Sequence, residues 1–271
     1  MQNNKQKFIE IFENTMEIVK NNKELLENTN NSLKDTKIYN EKIEINKEKN
    51  NNFPKIKVIN TRTLNAINLF LTQDKNIAIL NFASATNPGG GVTKGSVAQE
   101  ECICRCTNLY SILSKKEIFN KFYLINRNRH NTLYSDSTIY TPNIYIIKSD
   151  IEFPEILPEN NWKTVNIITC AAPNLKEIKI SDKELLEIHK SRARQIISTA
   201  IINNNTKIVL GAFGCGAFRN NPEIVARAYK EVLMDEEFAK YFDEIIFAVL
   251  ATPNKNIDNF SVFNRWFKKY N

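Results

Sequence analysis

From Lys55 onward, short apolar runs alternate with stretches of helical period. KIKVIN (55–60), NIAILNF (76–82), NIYIIK (143–148), VNIITCAA (165–172), KIVLGAF (207–213) and EIIFAVLA (244–251) are rich in Ile and Val and mostly apolar on both faces. Such runs predict strands covered by helices on two sides. Between them lie helix-start signals. Ser96-Val-Ala-Gln99 and Ser181-Asp-Lys-Glu184 have the capping-box form, with the hydroxyl residue at the cap and Gln or Glu three residues later. Asn221-Pro222 places Asn at a cap and Pro at the first helical position. The alternation predicts an α/β chain: a three-layer α/β/α domain over a parallel or mixed central sheet.

Residues 1–54 have a different texture. FIEIFENTMEIVK (8–20) spaces its apolar positions near helical period, and a polar stretch rich in Asn, Lys and Glu then runs to NNNFP (50–54). The segment reads as an N-terminal helical appendage and loose linker, or equally as a solvated arm, leaving 55–271 as the main domain.

Composition narrows the classes. The 271 residues suffice for a large buried core, and no apolar run reaches the roughly 18–20 residues that span a bilayer. The first residues carry no apolar signal core, so a cytoplasmic location and no membrane partner are expected. The net charge of +7 comes mostly from scattered lysines. Without a dense basic run and interleaved aromatics it suits an anionic substrate and does not establish a nucleic-acid partner, so nucleic acid is expected only as a modified substrate. The five cysteines do not pair by spacing. Cys102, Cys104 and Cys106 alternate along an expected helix, so Cys104 faces away from the other two, which does not suit a tetrahedral metal site. With only His130 and His189 to add, neither a metal nor a cofactor is expected.

The candidate chemistry lies in the glycines. Of seven, Gly89, Gly90, Gly91 and Gly95 fall in NPGGGVTKGSVAQEE (87–101), and Gly211, Gly214 and Gly216 in GAFGCGAFRN (211–220). Each cluster follows an expected strand and precedes a capped helix. In an open α/β sheet that carboxyl end is where ligands bind, and successive backbone N–H groups there suit phosphate. Two such loops on neighbouring strands suggest a diphosphate held between them. The dinucleotide fingerprint fails, because Gly211, Gly214 and Gly216 are spaced in the opposite order. The P-loop fails as well, because Ser96 stands where its lysine should be.

The acids Glu100 and Glu101 follow the first cluster. With Ser96 as cap they would sit in the second turn of a helix that buries Cys102, Cys106, Leu109, Tyr110 and Leu113. Adjacent helix residues point about 100° apart, so at least one carboxyl should face the cleft. Mutual repulsion and partial desolvation would raise one affinity for a proton, as a general acid needs.

The GGG cluster followed by QEE resembles the signature of bacterial-type poly(ADP-ribose) glycohydrolases, which are macrodomain proteins. The likeness extends to NFASATN ahead of it, TLYSDSTIYTPNIYIIKSD (132–150), ITCAAPN (168–174) and LGAFGCGAFRNNPEIVARAY (210–229). The resemblance implies a macrodomain-like fold that binds ADP-ribose and hydrolyses ribose–ribose bonds at poly(ADP-ribose) ends, with ADP-ribosylated proteins as substrates. It implies Glu101 as the catalytic acid, Glu100 as a holder of ribose hydroxyls and Asn87 as the residue that orients the distal ribose. Gly89, Gly90 and Gly91 would let the backbone approach that sugar. Gly214, Cys215, Gly216 and Ala217 would cradle the diphosphate, and Phe218 would pack over the distal ribose. Gln99 reads as the capping member, with a supporting role at the site. A mono-ADP-ribosyl hydrolase, an O-acetyl-ADP-ribose deacetylase and a non-catalytic ADP-ribose reader remain as alternatives. Tyr134 and Asp136 carry no derived role, and His130, in a polar loop that could reach the cleft, reads first as a surface residue.

Overall fold

Every residue from Ile77 to Leu80 is buried, with alternate side chains serving opposite faces. Ala78 and Leu80 join one core cluster, and Ile77 and Ile79 join the other. This is the two-sided burial that an apolar run without alternation predicts, and each large aliphatic side chain so buried contributes about 1.5–3 kcal/mol. The structure is a computed structural model that describes residues 2–70, 76–251 and 258–271.

Seven strands form one mixed sheet: β1 (Lys37–Tyr39), β2 (Lys55–Ile59), β3 (Ile77–Phe82), β4 (Thr138–Ile146), β5 (Lys163–Cys170), β6 (Lys207–Leu210) and β7 (Glu244–Ala248). Their spatial order is β1-β4-β5-β3-β6-β7-β2. β5, β3, β6, β7 and β2 run parallel, so their carboxyl ends open on one edge. β4 runs antiparallel to β5 and to β1. The main helices are α1 (Gln2–Asn21), α2 (Lys23–Asp35), α3 (Gln99–Cys106), α4 (Asp182–Ile202), α5 (Pro222–Lys230) and α6 (Asn259–Phe267). Residues of α4, α5 and α6 pack with one face of the sheet, and those of α1 and α3 with the other. The α/β/α layering is therefore as expected. No helix among the described residues is long and apolar enough to cross a membrane.

Three local expectations change. The 207–213 run ends as a strand at Leu210, because the chain turns at once, Phe213 N–H donating to the Gly211 carbonyl at 2.8 Å. The 143–148 run belongs to a longer strand that begins at Thr138, and its register with β5 shifts between Thr141 and Ile144. Pro142, which has no N–H, and Asn143, at φ 54°, occupy that bulge. The Ser181 and Asn221 caps form, accepting from Glu184 N at 3.2 Å and Glu223 N at 3.0 Å, but Ser96 is no cap. Helix α3 begins at Gln99, with Ala98 at the cap position two residues after Ser96 and no side-chain cap.

The N-terminal 54 residues are helical as far as Asp35 and then add β1 to the sheet edge. That three-residue strand lies in a polar stretch with no alternation to announce it. Helix α1 lies against α3. Thr15 Oγ1 donates to the Arg105 carbonyl at 2.5 Å, and the Phe8 ring covers the Arg105 guanidinium at 4.9 Å. Lys148, buried, donates to the Ile11 carbonyl at 2.7 Å.

Candidate active site

Strands β3 and β6 are neighbours, and the two glycine loops leave their carboxyl ends side by side. Between the loops is a cleft of about 480 Å³. Phe82, at the end of β3, meets Phe213 of the second loop edge-on at 5.6 Å between ring centres. Gly90, Glu100 and Glu101 contribute to one wall of the cleft, and Gly214, Gly216, Ala217 and Phe218 to another.

Gln99 explains how α3 is placed. Its amide Nε2 donates to the Leu80 carbonyl at 2.7 Å and to Thr63 Oγ1 at 3.0 Å, while its Oε1 accepts the Phe82 N–H at 2.8 Å. The pairing of β3 with β6 stops at Ile79↔Val209. Gln99 thus satisfies ladder groups that the neighbouring strand no longer reaches, and pins the helix start to β3. This is the correction to its expected capping role: the side chain reaches the sheet and not the helix cap. Ser96 is held instead by Arg105, whose Nη1 donates to its carbonyl at 2.6 Å. Arg105 is almost fully buried, and α3 ends at Cys106, so Leu109, Tyr110 and Leu113 of the expected continuous helix lie beyond it, while Cys102 and Tyr110 are half-buried.

Both carboxylates are buried. Glu100 Oε2 accepts the Ser84 N–H at 2.7 Å, and its Oε1 lies 3.4 Å from Asn81 Nδ2. Burial pushes the Glu100 carboxyl up to about 8; the Ser84 N–H opposes this and the charge of Glu101 adds to it. Glu100 therefore holds a proton at neutral pH. Glu101 Oε1 accepts the Gly91 N–H at 2.8 Å. Its Oε2 is buried and makes no hydrogen bond among the described residues, and Glu101 lines the cleft. A buried carboxylate oxygen left free is costly unless something is meant to meet it.

The first loop also corrects the expectation that both loops present N–H groups to phosphate. Gly91 N–H serves Glu101 and Gly90 N–H closes a turn on the Asn87 carbonyl at 3.0 Å, while the Gly89 N–H lies near enough to Glu100 to favour its charged form slightly. A Cβ on Gly90, at φ 60°, would lie 2.5 Å from Glu101 Oε1 and 3.0 Å from Glu100 Oε2. Glycine there lets two carboxyls close on one turn. Gly89 and Gly91 stand behind this turn, against Tyr110 and Ser96.

The second loop differs. The N–H groups of Gly216, Ala217 and Phe218 make no hydrogen bond among the described residues. A Cβ on Gly216 would meet nothing within 4 Å. Cys215 does not reach the cleft wall: its N–H is spent on the Ala212 carbonyl at 3.1 Å, its thiol turns toward Phe213 O, and burial pushes that thiol up. The loop is anchored from below. Asn220 Nδ2 donates to the carbonyls of Pro173 at 2.8 Å and Gly214 at 3.0 Å, and its Oδ1 meets His189 Nε2 at 2.8 Å. With Asn220 Oδ1 as acceptor, His189 Nε2 carries the hydrogen. Burial lowers His189 to about 4, so it is neutral at neutral pH.

Several residues lay outside the sequence reading or were undecided in it. Asn87 is exposed on the first loop and is not among the residues that line the cleft; Arg127 holds its side chain, and the arginine carried no motif that would have singled it out. Tyr134, at φ 59°, brings its ring to 6.3 Å from Phe218, and Asp136 pairs with the buried Arg192. His130 is exposed. Cys102 reaches the cleft, whereas Cys104 and Cys106 are buried, and all five thiols are free. Among the described residues no group of three His, Cys, Asp or Glu side chains is placed to hold a metal ion.

Comparison with known proteins places this geometry. No curated protein sequence matches significantly. The poly(ADP-ribose) glycohydrolase of Thermomonospora curvata superposes with a TM-score of 0.85 at 27% identity, over 97% of this chain and 100% of that one. The same enzyme bound to the inhibitor ADP-HPD gives 0.82 at 27% identity, over 96% and 99%. The poly(ADP-ribose) glycohydrolase of Deinococcus radiodurans in complex with ADP-ribose gives 0.77 at 31% identity, over 89% and 97%. The family model described as "Microbial-type PARG, catalytic domain" matches residues 6–149, more than half of the chain and the part that carries GGG, QEE and the helix braced beneath them. With the mixed sheet, the paired glycine turns and the buried carboxyl pair in the same molecule, the chain belongs to the family of microbial-type poly(ADP-ribose) glycohydrolase catalytic domains.

Proposed function

We propose that this protein is a poly(ADP-ribose) glycohydrolase that cleaves the ribose–ribose O-glycosidic bond at polymer ends and releases ADP-ribose, with ADP-ribosylated proteins as the source of polymer. The observation that carries the reading is Glu101. Glu101 lines the cleft between the loops, one of its oxygens is fixed by the Gly91 N–H, and the other is buried with no hydrogen bond among the described residues.

The diphosphate would lie along the second loop, where the N–H groups of Gly216, Ala217 and Phe218 are free to donate and open space surrounds Gly216. The distal ribose is then carried toward the first loop, with Phe218 beside it. Glu101 in its acid form gives its proton to the 2′-oxygen that leaves, and the C1″–O bond breaks to an oxocarbenium-like centre. The resulting carboxylate takes a proton from a water molecule whose oxygen bonds to C1″. The acid is restored, and free ADP-ribose and a chain end with a 2′-hydroxyl are the products. A neutral Glu100 can donate its proton to a ribose hydroxyl oxygen while its other oxygen stays on the Ser84 N–H. It also spares the site a second negative charge beside the substrate diphosphate.

A product assay tests this reading on labelled poly(ADP-ribose) and, in parallel, on a mono-ADP-ribosylated protein. Wild type should release ADP-ribose from the polymer, and Glu101→Gln should lose about 10²–10⁴-fold in kcat, the range of one general acid. Binding of polymer without release by wild type would make the protein a reader; release from the mono-modified substrate alone would make it a mono-ADP-ribosyl hydrolase.

A further inference from the structure

Asn87 sits at the exposed rim of the first loop, yet its side chain is held as firmly as a buried one. Arg127 Nε donates to the Thr86 carbonyl and its Nη2 to Asn87 Oδ1, both at 2.7 Å. The guanidinium lies over the Phe119 ring at 4.8 Å, and Phe119 in turn stacks on the fully buried Tyr123 at 6.1 Å. Phe119–Tyr123 is a wide helical turn inserted between helical stretches. Such an insertion re-aims everything that follows it, and here Arg127 follows four residues later. Arg127 makes no ion pair among the described residues, so its two directional bonds both go to the signature loop.

We infer that Arg127 is a positioning residue for the hydrolysis proposed above: it fixes the Asn87 side-chain amide so that its NH2 group, and not its carbonyl oxygen, is offered to the distal ribose. The chemistry follows from the donors. Arginine can only donate, so the atom that it holds must be Oδ1. The amide nitrogen then has one hydrogen directed to Thr86 Oγ1, at 3.2 Å, and one left for a hydroxyl oxygen of the sugar. A free asparagine at a solvated rim would rotate and offer either end. The paired bonds of a planar guanidinium on an aromatic platform remove that freedom, which a lysine cannot reproduce.

This inference rests on the glycohydrolase reading, and its test separates the two. The variants are Arg127→Ala, Arg127→Lys, Asn87→Ala and the double Arg127→Ala/Asn87→Ala, read by kcat and KM on polymer and by calorimetric affinity for ADP-ribose. Arg127→Ala should lower kcat about tenfold while KM and thermal stability stay near wild type, and Arg127→Lys should recover only part of the loss. The double variant should be no slower than Asn87→Ala, because an interaction that acts through one residue cannot be lost twice. Losses that multiply in the double variant, or full activity in Arg127→Ala, would overturn the inference. If wild type binds ADP-ribose without hydrolysing polymer, the glycohydrolase reading falls alone, and the inference then requires the double variant to bind ADP-ribose no more weakly than Asn87→Ala, with multiplied losses overturning it. A wild type that does neither removes both.

Discussion

The two glycine loops leave neighbouring strands and look alike in sequence, but they are built for opposite ends. The first is spent inward: the Gly91 N–H holds Glu101, and Gly90 is crowded by both carboxyls. The second is held by Asn220, with His189 behind it, and by the Leu175 N–H on the Phe218 carbonyl, and it leaves Gly216 in open space with an N–H that is unspent among the described residues. One loop shapes a reactive group and the other leaves room for a ligand. Glycine count alone does not distinguish these uses; what a Cβ would strike does.

Substitutions can break this contrast, and the largest effect is expected at Gly90. Gly90→Ala should cost at least 10²-fold in kcat, because the new methyl displaces both carboxyls, and should add about 1–2 kcal/mol of strain from a non-glycine residue at positive φ. Steady-state kinetics with a melting curve checks both. Asn220→Ala, at the anchor of the second loop, should weaken ADP-ribose binding about tenfold by calorimetry while kcat falls less. The two loops should also respond to pH in opposite directions. Glu100 is raised to about 8 from 4.5, so the native state keeps a proton that the unfolded chain releases, and stability falls as pH rises across that window. His189 is lowered to about 4 from 6.5, so the unfolded chain binds the extra proton, and stability is lost as pH falls from 6.5 toward 4. Each slope can reach about 1.4 kcal/mol per pH unit. Chemical denaturation across pH 4–9 should show the first slope flattened in Glu100→Gln and the second in His189→Gln. The smallest effect belongs to Gly216→Ala, whose methyl meets no protein atom: stability should be unchanged, and any loss should appear in ADP-ribose affinity.

What could be read in advance follows from whether a signal is local. The β3 and β6 runs, the two glycine clusters and the acids at 100 and 101 lie within short windows, and their adjacency follows from parallel strands opening on one edge. The Ser181 and Asn221 caps were legible for the same reason. Ser96 and Gln99 matched the same local pattern and did something else, since the end of β3 that β6 no longer pairs takes two hydrogen bonds from the Gln99 amide and Thr63 takes a third. Arg127, Arg105 and the docking of Phe8 and Thr15 on α3 are long-range pairings. No spacing rule connects position 15 to position 105. β1 escaped notice because three residues at a sheet edge need no apolar alternation.

The central claim is that Glu101 Oε2 meets the sugar while the second loop holds the diphosphate, and a crystal structure of this chain with ADP-ribose tests it most directly. The account predicts the diphosphate oxygens within hydrogen-bond reach of the N–H groups of Gly216, Ala217 and Phe218, with Glu101 Oε2 about 3 Å from the oxygen on C1″. A nucleotide bound elsewhere, or one whose distal ribose turns away from Glu101, would contradict it.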